Sequence, residues 1–401
     1  GAVAVDFPAV MARVRRLRAR IAPADGHAGT EATGADVYQG RGVFTSPHTV
    51  SVNGRTLRFK KCVVATGGRP SLPSDSDVPG LRDAPYTTNE GLFNLEALPP
   101  RLVILGAGVV ALEMAQAFSL LGSDVTVVGR TERLLASRGA DAEAAELLRR
   151  ALEDDGVAFV AGRTTRVETL REPAGTALPL LRVHVAGAAA RECECLLVAA
   201  GRSANVERLG LEAAGVDYAV GAGIAVDAYG RSVSNADVHA AGDCAAGTPR
   251  LTHVAGEMAK VAVQNALAGD SWRLDALVLP AVAYTHPEYA TVGTASQEMA
   301  DARGVTVDVY RTGLEGNDRA ILEGSDVGFC KIVVRRGTDE IVGATIVADR
   351  AGEMINEVTL AMKAGVGLGT IGRNVHPYPT TGEAVMLCGL QYINKHWTRF
   401  D

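Results

Sequence analysis

Small residues at a fixed spacing give the first indication of chemistry in this chain. Gly106, Gly108 and Ala111 form the pattern G-x-G-x-x-A, between an apolar stretch at 102–105 and an apolar segment that ends at Gly122. In a strand–turn–helix unit, the first glycine permits a tight turn and the second lets the backbone approach a diphosphate. The small third residue lets the helix pack closely on the strand. The pattern therefore predicts a dinucleotide-binding site, with a glycine-rich structural turn as the alternative.

A second predicted strand, at 124–128, completes the βαβ unit and bears on which dinucleotide is bound. NAD-binding units place an Asp or Glu about 20 residues after the fingerprint, where it binds the ribose 2′-hydroxyl. Here that position is Gly129, and Arg130 and Arg133 follow it. An arginine without a carboxylate favours the 2′-phosphate of NADPH. The alternative is that Arg130 is only a solvated loop residue.

Composition limits the class of protein to which these motifs belong. The chain has 401 residues, 47% hydrophobic and 21% charged, with a net charge of -6, which suits a soluble globular enzyme of several domains. The mild acidity gives no electrostatic reason to expect nucleic acid or an anionic membrane as a partner. No apolar run reaches the roughly 18–20 residues of a membrane span. The six cysteines include no C-x-x-C pair, which favours free thiols in a reducing compartment, in the cytoplasm or an organelle.

The first hundred residues show signals for both helix and sheet. Residues 6–20 predict an amphipathic helix, and 36–60 predict a β-meander with Asn53–Gly54 as a hairpin turn. The short apolar run at 62–65 is typical of a buried parallel strand. Residues 70–100 are rich in Pro, Asp and Gly, which predicts a linker between domains.

A series of segments, in order along nearly the whole chain, resembles the pyridine-nucleotide-disulfide oxidoreductases, the flavoprotein group of dihydrolipoamide dehydrogenase, glutathione reductase and mercuric reductase. The likeness is nearest to the mercuric-reductase-like branch, which has H-P-Y-P-T. The matching segments are 64–70 (VATGGRP), 106–113 (GAGVVALE), 200–205 (AGRSAN), 241–245 (AGDCA), 284–293 (YTHPEYATVG) and 376–383 (HPYPTTGE).

The resemblance implies an α/β fold with two Rossmann-like dinucleotide-binding domains and a C-terminal α+β dimerisation domain. It implies FAD and NADPH (or NADH) as cofactors, a homodimer and no resident metal. The expected domains are a first part of the FAD-binding domain with a linker (1–95), the NAD(P)-binding domain (96–225), a second part of the FAD-binding domain (226–280) and the dimerisation domain (281–401). In the last of these, a packed helix is expected over 351–364.

The resemblance also implies which residues bind FAD. The strand-end turns Ala65-Thr66-Gly67 and Gly201-Arg202 would approach the cofactor, and Asp243 would hold its ribityl chain and pyrophosphate region. Leu251-Thr252-His253 would begin a helix, running to about Leu267, whose N-terminus points at the flavin. Such an N-terminus stabilises the negative charge of reduced flavin. The alternative for Asp243 is a simple helix cap or turn. For His253 a packing or capping role is favoured over a role as a base.

Four residues are candidates for catalysis. By resemblance, Glu113 would pair with a lysine upstream of Gly1; a helix-dipole role is the alternative. Disulfide-reducing members use a His–Glu pair five residues apart, but five positions before Glu383 is Tyr378, as in mercuric reductases, and His376 is seven before. Tyr378 would donate a proton or bind a soft metal substrate weakly. Its reference pKa of about 10 makes it a poor base. His376 would act through a different geometry, or both would only shape the dimer interface.

Two motifs of the family are absent from this sequence: the FAD-binding G-x-G-x-x-G and the redox-active C-x4-C. The simplest interpretation is that about eighty to a hundred residues precede Gly1 in the full protein. We then expect this chain alone to bind FAD weakly or not at all, and to be inactive. The competing interpretation is a member that has lost its disulfide.

The sequence thus predicts an oxidoreductase that passes hydride from NADPH or NADH to FAD and on to a disulfide, thiol or metal substrate. Mercury itself is a doubtful substrate, because mercuric reductases end in a cysteine pair and Cys388 stands alone here. Two alternatives remain. One is a disulfide-independent flavin NAD(P)H oxidase or quinone-type reductase, and the other is a non-catalytic nucleotide-binding dimeric protein.

Overall fold

The computed structural model describes residues 5–136, 139–175 and 177–397. The chain forms two compact units. The first unit comprises 1–72, 88–98 and 200–277, and the second comprises 73–87, 99–199 and 278–401. Residues 200–225, which the sequence analysis grouped with the NAD(P)-binding domain, thus pack within the first unit. The second unit contains both the dinucleotide fingerprint and the C-terminal region.

Helices and strands alternate along the described residues. The α-helices there are α1 (Phe7–Asp25), α2 (His27–Glu31), α3 (Val109–Leu121), α4 (Ala142–Asp154), α5 (Thr252–Ala268), α6 (Gln297–Ala302), α7 (Asp318–Glu323), α8 (Ala351–Ala364), α9 (Leu368–Ile371) and α10 (Glu383–Lys395). The first strands are β1 (Val43–Ser46), β2 (Thr49–Val52), β3 (Arg55–Arg58), β4 (Cys62–Val64), β5 (Gly68–Pro70), β6 (Arg101–Leu105), β7 (Asp124–Gly129), β8 (Val157–Ala161), β9 (Thr164–Arg171) and β10 (Leu180–Val185). The later strands are β11 (Arg191–Cys193), β12 (Cys195–Val198), β13 (Arg202–Ala204), β14 (Tyr218–Ala219), β15 (Gly223–Ile224), β16 (Val238–Ala240), β17 (Pro280–Ala283), β18 (Glu288–Gly293), β19 (Val307–Gly313), β20 (Phe329–Arg335) and β21 (Ile341–Ala348). None of the helices in this part of the chain is long and apolar enough to span a bilayer.

The first unit contains α1, α2, α5 and several small sheets. Strands β1, β2 and β3 form an antiparallel sheet, and Asn53 and Gly54 join β2 to β3 with φ values of 49° and 78°. Two consecutive positive φ values define the type I′ turn that Asn-Gly favours, so the predicted hairpin is confirmed. Strands β4 and β16 pair in parallel, as the apolar run at 62–65 indicated. Helix α1 extends beyond the predicted Arg20 to Asp25 and includes Pro23 in its last turn.

The second unit contains a parallel sheet in the order β12-β6-β7-β8. Strand β12 is buried throughout, and β6 and β7 are buried except at their first residues, which explains their nearly continuous apolar sequences. Helix α3 follows β6 and buries its small and apolar face, including Ala111, Leu112 and Ala115. The unit also holds an antiparallel sheet of β9, β10 and β11.

The Pro-rich stretch at 70–100 differs from a loose linker. It crosses between the units after residues 72, 87 and 98, as a linker would. However, Val78, Leu81 and Leu92 on this stretch are buried. These apolar side chains fix the stretch to the cores, although it forms little regular secondary structure.

The C-terminal region is built on the antiparallel sheet β17-β18-β21-β20-β19. Helices α8 and α10 share one hydrophobic core with this sheet, and α8 covers the predicted residues 351–364. Helices α9 and α10 approach closely at two glycines. A Cβ atom added to Gly389 would lie only 2.4 Å from the backbone nitrogen of Gly372. This contact places α10, which begins at Glu383, against α9.

Candidate functional site

The G-x-G-x-x-A segment lies between β6 and α3 and leaves room for a ligand. Gly106 has a φ of 119°, and its N–H donates to the carbonyl oxygen of Val128 on β7 at 2.9 Å. Gly108 is the N-cap of α3, and no side chain caps this helix end. A Cβ atom added to Gly108 would meet nothing within 4 Å. The amide groups at the start of α3 are therefore available to an anion such as a diphosphate.

A cleft of about 110 Å³ lies beside this turn, at the carboxyl ends of β7 and β8. Ala107 of the turn and Gly129 at the end of β7 both line this cleft. The two residues pack closely, since a Cβ atom added to Gly129 would lie 3.1 Å from the Ala107 Cβ. Its other lining residues combine apolar and charged side chains: Thr131, Glu132, Leu134, Arg149, Phe159, Val160 and Ala161. Such a lining suits a base and a ribose that carries hydrogen-bonding or charged groups.

The two arginines that the sequence suggests for binding a 2′-phosphate have different contacts in the structure. Arg133 is engaged by Glu298, with nitrogen–oxygen distances of 2.9 and 2.8 Å, and also donates to the carbonyl oxygen of Ala140. Arg130 is exposed and forms none of these contacts. The contacts of Arg133 with Glu298 and Ala140 therefore assign it to structure, and leave Arg130 as the arginine of this loop that can reach a ligand.

Two charged residues of the cleft, Glu132 and Arg149, are not among the site residues predicted from the sequence. Arg149 belongs to α4, where it pairs with Glu153 at 2.9 Å. Its only sequence signal is its position on the helix that follows the second strand of the βαβ unit. Glu132 supplies a carboxylate to the cleft, although position 129, where an NAD-binding unit would have one, is a glycine.

In the first unit, several of the residues expected to bind FAD come together at the ends of β4 and β16. The Thr66 hydroxyl donates to the carbonyl oxygen of Asn205 at 2.6 Å, and the Asn205 amide donates back to the carbonyl oxygen of Thr66 at 3.1 Å. These bonds hold the turn that includes Ala65 and Gly67. Gly67 has a φ of 67°, and a Cβ atom there would meet nothing within 4 Å. The turn thus presents backbone to open space.

Arg202 and Asp243 form the charged centre of this cluster. The Arg202 guanidinium donates to the Asp243 carboxylate and to the carbonyl oxygen of Gly68, both at 2.7 Å. An added Cβ atom on Gly68 would lie 2.9 Å from the Asp243 carboxylate, so glycine is required for this close approach. Gly201, with a φ of 114°, turns the chain into β13 just before Arg202.

Helix α5 begins beside the same carboxylate. Its N-cap is Leu251, which forms no side-chain capping hydrogen bond, and Thr252 and His253 are the first residues of the helix. A Cβ atom on Gly242 would lie 2.9 Å from the Ala255 Cβ, so the first turn of α5 packs directly on the turn that carries Asp243. Uncapped amides and a carboxylate at one place provide donors and an acceptor for a polar ligand.

Glu113 on α3 faces the 284–293 segment rather than a lysine within the described ranges. Its carboxylate accepts a hydrogen bond from the Tyr284 N–H at 2.9 Å. Burial raises the pKa of Glu113, and this hydrogen bond opposes the shift. One turn later, Gln116 exchanges two hydrogen bonds of 2.7 Å with the backbone of His286. The helix of the fingerprint is thereby fixed to the start of the C-terminal region.

The candidate acid–base residues in the C-terminal region each have a different partner. The Tyr378 hydroxyl donates to the Asp318 carboxylate at 2.5 Å. The Glu383 carboxylate instead accepts from the Thr380 N–H at 3.3 Å. The spacing of the sequence motif predicts that Glu383 pairs with residue 378. In the structure, Tyr378 is instead hydrogen-bonded to Asp318, which lies 60 positions earlier in the sequence.

His376 is held away from solvent. Its Nε2 atom lies 3.0 Å from the Glu357 carboxylate on α8, and its Nδ1 atom lies 3.1 Å from the carbonyl oxygen of Asn374. Its side chain is 7% exposed, whereas Tyr378 is 71% exposed. Both ring nitrogens of His376 are therefore engaged, and Tyr378 is the accessible group. Asp318 and Glu357 carry no sequence signal, because neither lies at a motif spacing.

Comparison with known proteins identifies close relatives. A family model described as pyridine nucleotide-disulphide oxidoreductase matches residues 14–259, and one for the dimerisation domain of that family matches 279–387. The mercuric reductase of Lysinibacillus sphaericus is 35% identical over 366 residues, which are 90% of this chain and 64% of that protein. The dihydrolipoyl dehydrogenase of Thermus scotoductus is 34% identical over 357 residues, 88% of this chain and 74% of that protein.

Solved structures show the same fold. LpdA from Mycobacterium tuberculosis is 28% identical, with a TM-score of 0.82, over 98% of this chain and 84% of that chain. The flavoprotein disulfide reductase RclA from Escherichia coli has a TM-score of 0.84 over 95% of this chain and 85% of that chain, at 24% identity. These likenesses confirm the expected fold class. The chain spans less than two thirds of the mercuric reductases from Lysinibacillus sphaericus and Bacillus cereus, 64% and 55% of their lengths.

Proposed function

Because the chain belongs to the pyridine nucleotide-disulphide oxidoreductase family, whose members use FAD with NAD(P)H as electron donor, we propose that it is part of a flavin-dependent oxidoreductase that takes hydride from NADPH. Bound FAD would accept that hydride and pass two electrons to a disulfide, thiol or metal substrate. The matching dimerisation domain supports a homodimer.

The observation that carries this proposal is the open space in front of Gly108 at the uncapped start of α3. In the proposed function, Gly106 and Gly108 let the diphosphate reach these amides, and Ala111 keeps α3 close to β6. The neighbouring cleft, which Gly129 lines, would take the adenosine end of the coenzyme. Arg130 follows Gly129 in the chain and is exposed, so its side chain would reach the ribose from the edge of the cleft.

The cluster in the first unit supports FAD as the second cofactor. Asp243, oriented by Arg202, would accept hydrogen bonds from the ribityl hydroxyls. The turn at Thr66 and Gly67 offers backbone in open space, and the α5 N-terminus offers uncapped amides. These groups suit a ligand with hydroxyls, a diphosphate and a ring that becomes negative on reduction. Glu113, whose pKa is raised by burial, would lie near the flavin reaction centre.

The C-terminal loop supports Tyr378 as the group that meets the substrate. It is exposed, and its hydroxyl is oriented by Asp318. In this proposal His376 fixes the loop to α8 through Glu357, and Glu383 fixes the end of the loop through Thr380.

Equilibrium titration with NADPH and NADH, followed by calorimetry and coenzyme fluorescence, tests the proposed function. We expect saturable binding of both coenzymes, with NADPH bound more tightly. If neither coenzyme produces heat or a fluorescence change, the proposal is wrong.

A charge reversal at Arg130 tests the coenzyme preference in the same assay. We expect Arg130→Glu to weaken NADPH binding about tenfold, which is ~1.4 kcal/mol, because a repulsive charge replaces an attractive one near the 2′-phosphate. NADH, which lacks that phosphate, should lose little affinity. The matched control is Arg150→Glu, an exposed arginine of α4 that pairs with Glu146 and does not line the cleft. An unchanged ratio of the two dissociation constants would show that Arg130 does not bind the 2′-phosphate.

A further inference from the structure

The loop between α9 and α10 is tied to the start of α7 at two adjacent residues. The buried amide of Asn317 donates to the carbonyl oxygen of Thr380 at 3.0 Å, while its oxygen caps α7 by accepting from the Ala320 N–H. The next residue, Asp318, accepts from the Tyr378 hydroxyl at 2.5 Å. Because Asn317 fixes the start of α7 to the loop, the Asp318 carboxylate is held beside the phenol group.

The direction of this hydrogen bond determines what Tyr378 offers to a substrate. A carboxylate only accepts hydrogen bonds, so the phenol proton points at Asp318. The lone pairs of the phenol oxygen then remain free for a donor from solution, such as a thiol S–H or a bound water. Since 71% of the Tyr378 surface is exposed, a substrate can reach this oxygen.

We propose that Asp318 is the positioning residue for Tyr378, a role that the sequence motif would assign to Glu383. The Asp318–Tyr378 pair then presents an oriented hydrogen-bond acceptor to a thiol substrate. The inference deepens the proposed function and rests on its assignment of Tyr378 to the substrate side. In this arrangement Glu383 is not the hydrogen-bond partner of Tyr378, and its carboxylate accepts from the Thr380 N–H instead.

The charges around Tyr378 support the pairing. The hydrogen bond to Asp318 raises the pKa of Tyr378, the charge of Asp318 adds to this, and the charge of Glu383 contributes least. The nearby cation Arg319 pairs with Glu323, which also binds Arg350, and His376 two residues away is bonded to Glu357. With a raised pKa, the phenol keeps its proton at neutral pH and loses it only as the pH rises through that higher value. Removing the Asp318 charge should therefore lower the pKa of Tyr378 toward its ordinary value.

NMR of the full chain labelled with tyrosine carrying ¹³C at Cζ measures this directly, because the Cζ shift reports ionisation of the phenol. The Tyr378→Phe variant identifies the Tyr378 resonance. We expect Asp318→Asn to lower the Tyr378 pKa by about one unit and Asp318→Glu to restore most of the wild-type value. Glu383→Gln should produce a smaller decrease. Glu353→Gln, which removes an exposed carboxylate from the first turn of α8, should produce none.

The outcomes separate this inference from the proposed function. If Glu383→Gln lowers the Tyr378 pKa as much as Asp318→Asn does, or if Asp318→Asn leaves it unchanged, the inference is wrong even when coenzyme binds normally. If the pKa falls as expected but the coenzyme titration shows no binding, the Asp318–Tyr378 pair is established and the proposed function fails. Circular dichroism of each variant confirms that the fold is retained.

Discussion

We expect the Gly108→Glu variant to bind NADPH about 100-fold more weakly than the wild type while keeping its thermal stability. A Cβ atom at this position meets nothing within 4 Å and the φ of −90° is accessible to any residue, so the fold should accept the side chain. The new carboxylate lies at the N-terminus of α3, where it can accept hydrogen bonds from the free amides. It therefore occupies the position of the diphosphate and repels it. Calorimetric titration gives the affinity, and differential scanning calorimetry gives the stability.

Gly316→Glu is the matched control for this substitution. Gly316 also has nothing within 4 Å of an added Cβ atom, but it lies in the loop before α7, in a different part of the same unit. Its variant should bind NADPH as the wild type does. Unimpaired binding by Gly108→Glu would show that the coenzyme diphosphate does not use the α3 amides, and the assignment of the fingerprint would then be wrong.

The second large effect is expected at the contact between α9 and α10, where Gly389→Ala should destabilise the protein. Replacing a glycine inside a helix by alanine normally adds up to ~1 kcal/mol of stability. At Gly389, however, the added Cβ atom would lie 2.4 Å from the Gly372 backbone nitrogen and 2.8 Å from the Leu368 carbonyl oxygen. Backbone atoms cannot move aside as a side chain can, and overpacking costs about 1–3 kcal/mol or more. We expect a net loss of about 2 kcal/mol in the free energy of unfolding of the second unit.

Gly256→Ala on α5 is the control of opposite sign. It is also a glycine inside a helix, but an added Cβ atom there meets nothing within 4 Å, so only the gain in helix propensity remains. Denaturant unfolding should show a raised midpoint for Gly256→Ala and a lowered one for Gly389→Ala. A Gly389→Ala protein as stable as the wild type would mean that α9 and α10 do not pack at this contact.

The features predicted correctly from sequence are those with local signals. The Asn53–Gly54 hairpin follows from the dihedral angles that these two residues tolerate, and α8 follows from the spacing of its apolar residues. The strand–turn–helix at Gly106 is equally local, because strand, turn and helix succeed one another within residues 101–121.

The parts that sequence could not supply depend on contacts between distant segments. Asp318 lies 60 positions before Tyr378, and they meet because Asn317 fixes α7 to the loop before α10. Arg133 had the residue type of a phosphate ligand, but Glu298 engages it from α6, more than 160 positions away. Neither pairing has a periodicity or a motif spacing. A sequence can nominate residue types for a site, but only the fold determines which of them remain available.

The route of the chain has a practical consequence for experiments on its parts. The polypeptide passes from one unit to the other after residues 72, 87, 98, 199 and 277. A single proteolytic nick at any of these points leaves the halves tethered by the remaining connections. Neither unit can therefore be expressed as one uninterrupted piece, and gene dissection must rejoin separate stretches with artificial loops or keep the two together.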